Sequence, residues 1–338
     1  MKKPVLSAVM LVYNGEKHLR EAIDSVLNQR FKEFEFIIIN DGSTDSSLDI
    51  INEYSDDRIR IINNITNLGI PRSRNIGLKE AQGEFLAWCD CDDLNFPDRF
   101  EEQVNFLKAN GKYVACGTWQ LYSNGKQYLV HKTKKQPELV KAMLLFKPSI
   151  MNPTSMLRLS MINRNKLYYN TELTIAEDHD LFLRCSMAFS LTNIQKVLVK
   201  YRASETSIIK KFKSQEDESD KIHNVIYTEA LNYLGITPTK SDLVNHSLSC
   251  SDKKFASFIE FKSCYNWLVT LKLKNKETKV YDDDALDKVL AHRFYVISKK
   301  ASSFGLKTFL FYFKKSYKNF RHMTFGHVLK LAFLCIKK

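Results

Sequence analysis

Short apolar runs alternate with stretches of helical spacing through the first hundred residues. "VLSAVMLV" reads as a strand, and "EKHLREAIDSVLNQ" follows with Leu19, Ile23, Val26 and Leu27 on one helical face. "FEFIIIN" is a continuous apolar run, the pattern of a strand covered on both faces. "DGSTD" makes a turn and offers caps to a helix running through Tyr54. "RIRII" is a third strand. "PRSRNIGLKEAQG" is a helix with Pro71 near its start and Gly83 just past its end. "EFLAWCD" is a fourth strand. This alternation predicts an α/β fold, a doubly wound and mostly parallel sheet with helices on both faces.

Further along, a helix is expected from Pro97 to about Asn110, then a strand in "KYVACGTWQLY". "MNPTSMLR" suits a strand at the edge of a site. "AEDHDLFLRCSMA" is helical, and "IQKVLVKYR" is a strand. From about Ser207 the pattern is helical, and the polar stretch Lys210 to Lys221 is the nearest thing to a boundary. The expected division is therefore 1–208 for the α/β part and 209–338 for a helical, basic region. Near the end, Leu306, Phe309, Leu310, Phe313, Tyr317 and Phe320 share a helical face, with Lys307, Lys314, Lys315 and Lys318 mostly off it.

Charge sharpens this division. The net charge is +13, which suggests an anionic partner. Yet twelve Lys or Arg and no acid lie between Lys288 and Lys338, leaving only about +1 for everything before. The basicity belongs to the tail, and no compact nucleic-acid recognition motif accompanies it. Seven scattered cysteines give no disulfide framework and suit a reducing compartment. The apolar run after Lys2 and Lys3 is broken by Ser7 and flows into a strand, so no signal peptide is expected. No run reaches the ~18–20 apolar residues of a membrane span. The expectation is a cytoplasmic protein.

The candidate chemistry collects at the carboxyl ends of the strands, where such sheets bind ligands. Tyr13 and Asn14 follow the first strand, Asp41 the second, and "CDCDD" ends the fourth. Cys89 and Cys91 have no partner pair at zinc spacing and read as packing residues. Asp90, Asp92 and Asp93 are too crowded to be comfortable without a cation. Alternate carboxylates at such a turn can reach one hard divalent ion, Mg2+ or Mn2+, which commonly bridges to phosphate. Glycine-rich phosphate loops of both common kinds are absent, which disfavours a dehydrogenase. Phosphates would then rely on the metal and on Arg72 or Arg74, although two solvated arginines explain that pair equally well. Asp41 can accept an N–H from a base such as uracil. Glu177 and Asp178 open a helix, where the dipole alone favours acids. The functional reading of that pair is a general base.

With these residues in order, the chain resembles a family 2 glycosyltransferase of the GT-A fold. The resemblance covers roughly Val5 to Ser207 and rests on "MLVYNGEKHL", "IIINDGSTD", "NLGIPRSRNIGLKEAQGEFLAWCDCDD", "NPTSMLR", "AEDHDLFLR" and "VKYR". It implies that Asp41 reads the base beside the Tyr13 and Asn14 segment. It implies that Asp90 and Asp92 form the Asp-x-Asp pair on ribose and metal, with Asp93 adjacent, and that Arg72 or Arg74 faces the diphosphate or base. Asp178 would be the catalytic base, with Glu177 on the acceptor side. The layout is also similar to bacterial lipooligosaccharide transferases. It implies an inverting enzyme moving a GlcNAc, Gal, GalNAc or Glc type sugar from a UDP-sugar to a glycan or glycolipid acceptor. Capsule or another exopolysaccharide is the other acceptor class, and a catalytically weak binding protein is the reading from another class. One departure stands out: where the family often has a metal-holding His after "YR", this chain has Ser204, so that either water and phosphate complete the metal shell or another residue, His131 or His179, substitutes. For the tail, contact with an anionic membrane surface, simple helical packing and a homodimer interface all stay open.

Overall fold

A computed structural model describes residues 3–123, 127–202, 216–320, 322 and 324–336. The chain forms two compact units. One comprises Met1–Pro137 with Pro148–Ser219, the other Glu138–Lys147 with Asp220–Lys338. The expected boundary at 208/209 lies outside the described residues, as does Ser204. The helical unit also takes in residues 138–147 from the middle of the α/β stretch.

The first unit is built on a nine-stranded sheet in the order β3-β2-β1-β4-β8-β6-β9-β5, with β7 on β6. The strands are β1 (Leu6–Val12), β2 (Phe34–Asn40), β3 (Ile59–Asn63), β4 (Phe85–Asp90), β5 (Leu94–Asn95), β6 (Tyr113–Ser123), β7 (Tyr128–His131), β8 (Met156–Arg158) and β9 (Ser190–Arg202). The four strands expected from the first hundred residues pair in parallel, with Met10 between Ile38 and Cys89. β8 then pairs antiparallel with both β4 and β6, and β5 antiparallel with β9.

Helices α1 (Glu16–Leu27), α2 (Ser47–Asn52), α3 (Ile70–Glu80) and α4 (Arg99–Ala109) flank the parallel half. α1 buries Leu19, Ala22, Ile23 and Val26, and α4 buries Phe100, Val104 and Leu107, against one common core with β1, β2 and β4. α3 lies close to β1 because Gly77 has no side chain. A Cβ there would stand 2.8 Å from Val9 Cγ1 and 3.1 Å from Trp88. α5 (Pro137–Leu144), α6 (Leu159–Arg164) and α7 (Glu177–Ala188) follow.

The second unit is helical: α8 (Glu216–Tyr233), α9 (Lys240–Cys250), α10 (Phe258–Thr278), α11 (Asp283–Lys300), α12 (Leu306–Asn319) and α13 (Phe325–Ile336), with residues 138–147. Three of these helices start at side-chain caps. Thr239 and Asp242 form a capping box, Ser257 accepts from Glu260 N–H, and Asp282 from Ala285 N–H. Phe261, Tyr265, Phe294 and Phe311 make an aromatic core in which Phe311 meets Phe261 and Tyr265 edge to face and Phe294 stacks on Phe261. His246 is fully buried. Its Nε2 donates to the Leu145 carbonyl at 2.8 Å while Nδ1 accepts from Trp267 at 3.1 Å, which fixes it as a neutral packing residue. No helix among the described residues is long and apolar enough to cross a membrane.

Candidate active site

The acids of "CDCDD" come together where β4 ends. One carboxylate oxygen from each of Asp90, Asp92 and Asp93 lies within 4.8 Å of the others. Burial pushes all three carboxyls up, Asp92 to about 6; Asp90 adds to the rise of Asp92 and Asp93, while Arg74 and Arg99 hold back its own. Asp93 is held from behind, its Oδ1 accepting the Arg202 N–H at 2.9 Å, while its buried Oδ2 has no partner. Three crowded oxygens with an unsatisfied lone pair fit a hard divalent cation. Among the described residues, that group contains no histidine. His131 is exposed on β7, and His179 is buried in α7. Cys89 is buried and its thiol is pushed up to about 11, so the two sulfurs pack rather than ligate.

Arg74 connects these acids to the second acidic pair. Its guanidinium is buried, pairs with Glu177, and reaches 4.0 Å from Asp90 Oδ1. The rings of Trp88 and Tyr169 flank it at 5.7 and 5.5 Å. Glu177 is pushed up by burial to about 7, against the pull of Arg74. Asp178 is also raised by burial, while Arg74 and the N–H groups of His179 and Asn152 oppose the rise. A carboxylate poised above its usual range is a better proton acceptor. Ala176 sets the angle at which both acids leave the backbone, in a left-handed conformation at φ 56°.

The residues expected to face the nucleotide are placed differently from one another. Asp41 is buried. Its Oδ1 accepts from Asn64 Nδ2 at 2.7 Å and Leu68 N–H at 3.0 Å, and its Oδ2 from Gly69 N–H at 3.0 Å. Asp41 thus moulds the loop between β3 and α3, with one lone pair of Oδ2 left over. Gly42 lets that loop approach, since a Cβ there would stand 2.6 Å from Asn67 N and its φ is +71°. Asn14 spends its Oδ1 on Thr44 N–H at 2.8 Å, which ties the end of β1 to the "NDGSTD" turn. Tyr13 stays half exposed. Arg72 is exposed, with no hydrogen bond or ion pair among the described residues, so the two arginines of α3 part ways.

Other contributors carried no signal in the sequence. Arg99 is fully buried beneath the acid cluster, donating to the carbonyls of Trp88 at 2.9 Å and Ser155 at 3.1 Å, to Gln103 at 3.0 Å, and to Asn95. Tyr169 donates to Asn152 Oδ1 at 3.1 Å beside Asp178, leaving the buried Asn152 Nδ2 without a partner. The second acidic motif and the helix-opening arginine were legible. These supporting groups look like ordinary helix and loop residues.

A parallel sheet extended by antiparallel strands thus carries an acid triad at the end of β4 and an acidic pair opening α7. The family model for glycosyl transferase family 2 matches residues 7–171. An uncharacterized glycosyltransferase of Haemophilus influenzae is 34% identical over 248 residues, 69% of this chain and 76% of that protein. The chain belongs to glycosyl transferase family 2. Among solved structures, S. aureus TarS 1–349 in complex with UDP-GlcNAc superposes with a TM-score of 0.61 at 21% identity, covering 93% of this chain and 91% of that one. The mannosyltransferase PcManGT of Pyrobaculum calidifontis, in complex with GDP-Man and Mn2+, gives 0.51 at 13% identity, over 99% and 86%.

Proposed function

We propose that this glycosyltransferase moves a sugar from a UDP-sugar to a hydroxyl of a growing cell-surface glycan of the lipooligosaccharide type, with inversion. The observation that carries the reading is the buried guanidinium of Arg74, which joins the Asp90 end of the acid triad to the Glu177 and Asp178 pair. Donor-side and acceptor-side chemistry are thereby held against one another. The uridine nucleotide is supported by TarS, which has this fold and was solved with UDP-GlcNAc.

Asp178 takes the proton of the attacking hydroxyl, its basicity raised by enclosure. Glu177, paired to Arg74, orients the acceptor side and keeps the guanidinium in place. Asp41 offers its spare lone pair to the base N–H, and Tyr13, half exposed, lies beside it in the nucleotide site together with Asn14. Asp90, Asp92 and Asp93 would hold Mg2+ or Mn2+, which when bound neutralises charge on the departing diphosphate.

Asp178→Asn should lower sugar transfer by roughly 10²- to 10⁴-fold. UDP affinity, measured by calorimetry, should stay within about twofold, because the base acts on the acceptor. Transfer at the wild-type rate in that variant overturns the assignment.

A further inference from the structure

The helical unit presents a surface whose composition the transfer chemistry does not use. Along α12, Leu306, Leu310, Phe313 and Tyr317 are 57, 57, 51 and 84% exposed, while Thr308, Tyr312 and Ser316 face inward. Along α13, Phe325, Leu329, Phe333 and Ile336 are exposed by 55% or more, while Val328, Leu331 and Cys335 face inward. Both helices therefore turn their larger apolar row to the outside. Monomeric soluble proteins rarely leave a continuous row of this kind in water.

A second row runs beside the first. Lys307, Lys314 and Lys318 each follow an exposed apolar residue of α12 by one position, and Lys330 does so on α13. All four are exposed. A surface cleft of about 460 Å³ beside α13 repeats the combination, lined by Tyr295, Leu329, Phe333 and Leu334 with Lys299 and Lys330. No acid occurs from residue 288 onward, and the nearby Asp283, Asp284 and Asp287 of α11 are already paired with Lys279, Lys288 and Lys272. Among the described residues, none of these four lysines is in an ion pair, so the positive charge of this face stands uncompensated there.

We propose that the outward face of α12 and α13 docks on an anionic phospholipid bilayer, the two helices lying in the plane of the interface. The apolar row enters the boundary between headgroups and chains, and the lysine row meets lipid phosphates. Charge decides between this occupant and a second copy of the chain. A symmetric interface would bring two uncompensated lysine rows together, whereas an anionic surface neutralises one. Length decides between lying and spanning, since α13 has twelve residues, about 18 Å of helix. This binding goes beyond the transfer reaction and holds whatever the donor and acceptor are.

The test uses the full chain with sedimented vesicles of phosphatidylcholine alone or mixed with phosphatidylglycerol. Binding is expected to the mixed vesicles, at least tenfold weaker to phosphatidylcholine alone, and to fall as salt rises. Each lysine near the surface is worth roughly fivefold in affinity. The triple variant Lys314→Glu, Lys318→Glu, Lys330→Glu should therefore lose it by well over tenfold. The apolar variant Phe313→Ser, Phe333→Ser should lose at least tenfold at unchanged charge. Both alter exposed side chains, and both should keep wild-type UDP-sugar hydrolysis, the readout of the separate transfer reading. Equal binding to both vesicle types, or binding indifferent to either variant, overturns the proposal. So does a failure to bind vesicles together with a dimer, seen by sedimentation velocity, that the apolar variant dissociates.

Discussion

Asp56 and Asp92 are carboxylates of one unit that their surroundings push in opposite directions. Arg58 grips Asp56 through Nε at 2.9 Å and Nη2 at 2.7 Å and pulls its carboxyl down to about 2. Asp92, enclosed and facing Asp90, goes up to about 6. The two have opposite consequences for stability. A folded value below the unfolded one means that Asp56 stabilises above about pH 4 and loses that contribution as pH falls towards 2. Both side chains of the pair are about a quarter exposed, so the effect is at most about 1 kcal/mol. Asp56→Asn should remove it. Urea unfolding at pH 6 should then show a loss relative to the unaltered protein that shrinks at pH 2.5. Asp92 carries the opposite sign and favours the metal-free fold only while protonated. Its position is tolerable above pH 6 if charge is supplied from outside. The crowding of these acids was readable from four letters of sequence. The moulding task of Asp41 was not, because Asn64, Leu68 and Gly69 come to it from a loop more than twenty residues away.

At the scale of elements, the parallel half of the sheet was legible because β1, β2 and β4 are buried along most of their length and so appear as mainly apolar runs. Beyond it, β6, β8 and β9 were read from "KYVACGTWQLY", "MNPTSMLR" and "IQKVLVKYR", but β5, with two residues, is too short for a period to emerge. α12 shows both the reach and the limit of periodicity. Its apolar face was evident from spacing, but spacing does not say which face points inward. α4 illustrates a different blindness. In sequence, Arg99 sits in a polar helix start, yet it is fully buried and ties its helix to β4, to β5 and to Ser155 just before β8, through two carbonyls and two side chains. Arg99→Met keeps the volume and orphans those acceptors. It should cost about 3 kcal/mol in urea unfolding. It should also weaken Mn2+-dependent UDP binding, because a buried cation that offsets the charge of Asp90 and Asp93 is gone. Unchanged stability would mean that the carbonyls find other donors.

For the whole molecule, charge and chemistry are separated along the chain. The acidic machinery lies in the first unit, while the excess of positive charge lies in the last fifty residues. A ligand of the first unit should therefore register as global stability without involving the tail. At a hundredfold excess over its dissociation constant, UDP with Mn2+ should raise the unfolding free energy by about 2.7 kcal/mol. Asp92→Ala should abolish the part that depends on the metal, as read by thermal unfolding with and without EDTA. An equal rise in that variant would show that the triad does not hold the ion.

Residues 138–147 leave the first unit and return to it at Pro148. Val140, Leu144, Leu145 and Phe146 are fully or almost fully buried within the second unit. The partners of this excursion include His246 and Arg293, which lie over a hundred residues later. A chain emerging from the ribosome therefore carries an oily segment in wait, with nothing yet made to cover it. A premature stop anywhere before α11 would leave that segment stranded on an otherwise complete α/β unit. Nonsense alleles of the helical half should accordingly behave as aggregation-prone losses rather than as trimmed, working enzymes.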